Sequence, residues 1–112
     1  MVLPWDTLRR LLGLPSDMEP PGSVELVRLA LAEPRRARLI AMALDGHAPK
    51  EAPAGMLLAA LDAGRLPAEL AAELLGAVGH RSGYGTVRAL LFDPERGAAA
   101  EAAAVAMARI LG

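Results

Sequence analysis

Apolar residues recur at helical period along most of this chain. Leu66, Leu70, Leu74 and Val78 fall every four residues, with Ala71 and Leu75 beside them, and together they form one apolar stripe on a helix. Glu69 and Glu73 lie off that stripe and read as a solvated face. Near the C-terminal end the theme returns with smaller residues at Ala103, Met107, Ile110 and Leu111. At the other end Val2, Leu3, Leu8, Leu11 and Leu12 surround the single tryptophan, Trp5. That grouping reads as an N-terminal helix anchored on the core by Trp5. The competing reading is a detachable amphipathic helix for a partner's groove.

Punctuation divides the pattern into helices. Ser23 reads as an N-cap, with Glu25 in the first turn, where the helix dipole favours a carboxylate. Pro34, Pro67 and Pro94 each precede a helical stretch. Gly13, Gly46, Gly64, Gly79 and Gly112 each follow one, the place for a left-handed C-terminal cap. About seven helices are predicted, over residues 4–12, 23–32, 34–45, 53–63, 67–78, 86–92 and 94–111. Residues 1–13 form the N-terminal helix, 14–22 a stiff proline-rich linker and 23–112 a set of helical hairpins, all in one domain of 112 residues.

Composition agrees with an all-α chain. It is 54% hydrophobic but only 3% aromatic, so its core must be aliphatic. Alanine and leucine dominate, and both favour helix. Twelve basic and thirteen acidic residues leave a net charge of −1, which supplies no global field for nucleic acid or an anionic membrane. Absence of cysteine excludes disulfides and thiolate metal sites. No signal peptide and no membrane span is read, so the expected location is cytoplasmic.

Gly13, Gly46, Gly79 and Gly112 are evenly spaced, 33 residues apart. The same interval separates Pro34 from Pro67, Gly64 from Gly97, and His47 from His80, the only two histidines. Such a period indicates repeated supersecondary units. The ankyrin and tetratricopeptide signatures are absent. The last unit reads Leu90-Leu91-Phe92-Asp93-Pro94, then Ala102 to Gly112 with Arg109, Ile110 and Leu111 before the glycine. It resembles the short HEAT repeat of phycobilisome-lyase-like proteins, with their Leu-x-Asp-Pro turn and alanine-rich second helix. Ala100 and Glu101 stand where that family has Val-Arg, and the earlier units keep the prolines and glycines without the Asp-Pro turn. The resemblance implies a short α-solenoid of stacked antiparallel helical hairpins. It carries no functional residues with it.

Candidate chemistry is thin. His47 and His80, in equivalent positions of stacked units, would lie about 10 Å apart, too far to share one metal ion. They read as residues past helix C-termini, where the dipole favours a cation. Ser82 beside His80 lacks a nucleophile elbow or an oxyanion loop. Gly83-Tyr84-Gly85 reads as a turn exposing Tyr84. No enzyme activity, cofactor or metal is expected.

The function expected is a protein–protein interaction or scaffolding module with a protein partner. Candidate contact residues are Arg35, Arg36 and Arg38 in one helix start, and Arg81, Tyr84 and Arg88 around the glycine-rich turn. Three alternatives stand beside it: a nucleic-acid-binding solenoid with an arginine-lined face, a compact helical adaptor bundle, and an enzyme related to the bilin lyases, which would need a convergent acid and base. The alanine-rich C-terminal end lacks a polar cap, so the chain is expected to belong to a longer protein or to be covered there by a partner.

Overall fold

Several helices of the computed structural model end at glycines in the left-handed region. The structure describes residues 4–93 and 97–112, with the backbone alone at 97 and 98. Among them lie seven α-helices and no strand: α1 Trp5–Leu12, α2 Ser23–Ala32, α3 Ala37–Leu44, α4 Glu51–Asp62, α5 Ala68–Val78, α6 Tyr84–Leu91 and α7 Gly97–Leu111. Short 3-10 turns at Pro34–Arg36 and Arg81–Gly83 lead into α3 and α6.

Gly13 takes φ 69° and closes α1: its N–H donates to the Arg10 carbonyl at 3.1 Å, and the Leu14 N–H donates to Arg9 at 3.0 Å. This paired reach-back satisfies carbonyls that a helix end would otherwise leave unbonded. α4 ends the same way at Gly64, through Gly64 to Leu61 and Arg65 to Ala60.

Four expectations need correction. Ser23 is the first residue of α2 rather than its cap; Gly22 holds the extended cap position, and Ser23 is buried. Gly46 is not left-handed. α3 instead unwinds through tight bonds from Gly46 to Ala43 and from His47 to Leu44. α4 begins two residues early, at Glu51, because Pro53 falls within the first turn, where its missing N–H costs nothing. α6 begins at Tyr84, so the glycine-rich stretch belongs to a 3-10 turn and a helix start rather than an exposed turn. The expected helix start at Pro94, and Val2 and Leu3, lie outside the described residues.

The helices pack through an aliphatic core. Leu8, Leu26, Ile40, Leu44, Leu57, Leu74, Leu75 and Val87 are fully buried. α5 lies in the middle, touching α3, α4, α6 and α7, and its contact with α7 is the most extensive in the fold. α2 packs on α3 and α4, and α1 on α3. From α7 the buried residues are alanines, Ala99, Ala103 and Ala106, so its backbone sits close to its neighbours. The radius of gyration, 13.3 Å, equals the roughly 13 Å of a compact chain this long.

Trp5 is half-buried, and its indole N–H donates to the Met18 carbonyl at 3.1 Å. It therefore ties the proline-rich linker back onto α1. Among the described residues no helix is long and apolar enough to cross a membrane.

Candidate docking groove

α3, α5 and α7 run parallel. Arg38 at the start of α3 pairs with residues at the start of α5, and Asp45 just past α3 pairs with Arg109 near the end of α7. Between α3 and α7, over α5, lies a groove of about 590 Å³. Its floor is made of Ala72 and Gly76 of α5. Ala41 and Met42 form the α3 wall, and Ala102, Val105 and Ala106 the α7 wall. Small residues on the floor are what create the hollow, because larger side chains there would fill it. Val105, on the α7 wall, is 56% exposed.

Charge lines the rims. The Arg38 guanidinium donates to Glu69 at 2.9 Å and reaches Glu73 at 3.3 Å. The expected solvated face of Glu69 and Glu73 is thus an interhelical ion-pair cluster, in which one guanidinium sits between two carboxylates that otherwise repel. Arg38 is 65% exposed, so each pair contributes at most about 1 kcal/mol. At the opposite end Arg109 bonds Asp45 at 2.5 Å. Glu101 also lines the groove, and among the described residues no ion pair engages it.

The candidate arginines separate into different roles. Arg36 Nη1 donates to the Leu12 carbonyl at 2.6 Å, and its Nε pairs with Glu33 at 2.8 Å. It caps α1 from the 3-10 turn before α3 and offers little to a partner. Arg35 is exposed and pairs loosely with Glu33 at 3.3 Å. Of the six sequence candidates, Arg38 alone lines the groove. Arg81, Tyr84 and Arg88 lie on the turn before α6 and on α6 itself; the two arginines are exposed and Tyr84 is half-buried. Gly83 is buried against Leu75.

The two histidines, alike in sequence position, do different things. His47 Nδ1 lies 3.1 Å from the Ala43 carbonyl at the end of α3. His80 caps the following turn: the Ser82 N–H donates to its Nδ1 at 3.1 Å, and the Ser82 hydroxyl sits 2.8 Å from the same nitrogen. An Nδ1 that accepts from the backbone also accepts from the hydroxyl. The His80–Ser82 pair organises the 3-10 turn that leads into α6.

Met42, Gly76 and Val105 carry no site signal in the sequence pattern, and Glu101 and Arg109 enter it only through the HEAT-like unit. Gly76 inside a good helical pattern comes nearest to one, since an interior glycine that costs helix stability points to a close approach. No protein-family model, curated protein or solved structure matches this chain.

Proposed function

We propose that this chain is a protein–protein interaction module, a short HEAT-type α-solenoid with no catalytic activity of its own, acting in the cytoplasm through the groove between α3 and α7. The observation that carries the reading is the groove itself: an apolar floor with charged rims, spanning three helices. α3, α5 and α7 are successive neighbours, and α2 and α4 neighbour each other, which is the contact pattern that stacked hairpins produce. A groove of this kind suits an amphipathic helix, with apolar anchors in the floor and polar contacts at the rim.

An arginine-lined nucleic-acid face is the weaker reading. Arg36 and Arg38 are spent on intramolecular partners, which leaves no row of available guanidinium groups along the groove.

The test is affinity capture from native lysate with the full-length chain, its Val105→Glu variant and, as a control on α2, Arg28→Glu. A partner retained by the wild type and the control but lost with Val105→Glu is the expected result. Equal capture by all three overturns the assignment of the groove. Salt-dependent retention on heparin, undiminished in Val105→Glu, favours nucleic acid instead.

A further inference from the structure

We infer that the groove receives a second copy of this chain, which lays its own α7 antiparallel across the hollow with a twofold axis at Val105. This inference rests on the docking reading above, and the charge pattern carries it. The groove is polarised along its length. Among the described residues, one end holds the carboxylates of Glu69, Glu73 and Glu101 with the guanidinium of Arg38. The other end holds Arg109, one of whose Nη donors is taken by Asp45.

α7 carries the matching polarity. Glu101 stands four residues before Val105 and Arg109 four residues after it. An antiparallel α7 centred on Val105 therefore brings the second copy's Arg109 to Glu101 and the acidic end. The same operation brings the second copy's Glu101 to Arg109, where it joins Asp45 on a guanidinium with donors to spare. A parallel helix would set like charges against each other at both ends. The antiparallel direction also opposes the dipoles of α3, α5 and α7 together.

The apolar part fits the same symmetry. Val105 is among the most exposed large apolar side chains on the groove side, and at the axis it meets its own copy. Ala102 and Ala108 exchange places across that axis, and both are small enough to let two helices approach. A twofold contact of this type uses one patch on both copies and closes on itself. It is one helix wide on each side, so the dimer is expected to be weak and quickly exchanging.

The test is sedimentation of the full chain across a roughly hundredfold concentration range, where a weak association shows as concentration-dependent mass. The wild type is expected to shift from monomer toward dimer. Glu101→Arg sets arginine against arginine at both contacts and is expected to weaken the dimer at least about tenfold. Arg109→Glu does the same with carboxylates but also breaks the bond to Asp45, so its helical circular dichroism is checked alongside. An equal mixture of the two variants makes both contacts attractive again, and a heterodimer is expected. If Arg109→Glu does not fold, the Glu101→Arg and Arg109→Lys variants decide: loss in the first with retention in the second supports the pairing. A wild type that stays monomeric, a Glu101→Arg dimer as strong as the wild type, or a folded mixture that fails to associate overturns the inference. A monomeric wild type that still captures another protein, with capture lost in Val105→Glu, overturns the second copy and leaves the docking reading standing. A monomer that captures nothing overturns both.

Discussion

Gly76 of α5 and Ala106 of α7 touch so closely that a Cβ on Gly76 would lie 2.8 Å from the Ala106 Cα and 2.9 Å from its Cβ. Contact with the backbone of the facing helix leaves no flexible group to move aside. Gly76→Ala is therefore expected to force α5 and α7 apart and to lower stability by about 1–3 kcal/mol despite alanine's better helix propensity. Gly55 is the control, also inside a helix but with open space where its Cβ would be. Gly55→Ala is expected to raise stability by about 0.5–1 kcal/mol. Urea unfolding of both variants checks the pair; equal effects would show that the close approach is not rigid.

The evenly spaced glycines are expected to respond unequally to substitution. Gly79 sits at φ 72°, where its N–H bonds the Leu75 carbonyl at 3.0 Å. Gly79→Ala places a side chain in the left-handed region and is expected to cost about 1–2 kcal/mol. Gly46 has no positive φ, so Gly46→Ala is expected to change the midpoint little. Thermal unfolding of the two variants separates a backbone requirement from a shared sequence interval.

Arg36 holds α1 by its carbonyl end. Removing the guanidinium leaves the Leu12 carbonyl, at the end of α1, without that donor. Arg36→Ala is expected to loosen α1 by about 1–2 kcal/mol while sparing α5 and α7. Trp5 is the sole tryptophan and reports this locally through a red-shifted emission. Hydrogen exchange should accelerate across Leu8–Gly13 first. Uniform acceleration along the chain would contradict a local role.

The Arg38 cluster is expected to be worth little and to depend on salt. Arg38→Ala should cost less than about 1 kcal/mol at low ionic strength, because the guanidinium is largely solvated. In about 1 M salt that difference should shrink toward zero, as the Debye length falls to roughly 3 Å. A cost that persists in high salt would mean that the Arg38 stem packs against α5 and carries the stability instead.

Helix positions were legible in the sequence because each signal is local. The stripe from Leu66 to Val78, with its glycine at the end, needs only neighbouring residues to be read, and α5 lies where it indicates. Gly13, Gly64 and Gly79 announced their helix ends for the same reason. The groove was not legible, because it exists only when three helices are set side by side. Glu69 and Glu73 look solvated until Arg38, 31 residues before Glu69 in the chain, is placed between them. Gly46 misled because its spacing matches the others while α3 ends by tightening rather than by a left-handed turn. His47 and His80 share a register, yet what each bonds is decided by the chain that follows.

The bond between Asp45 and Arg109 has a consequence for the order of assembly. The extensive helix contacts of this fold join elements that are adjacent or next but one along the chain, so most of the structure can form from nearby pieces. Asp45 and Arg109 instead reach across α4, α5 and α6. That bond closes a long loop of chain, so it is expected to form after the contacts between nearer helices. Because Asp45 follows the α3 wall and Arg109 belongs to the α7 wall, the same bond also sets how far apart the two walls of the groove stand.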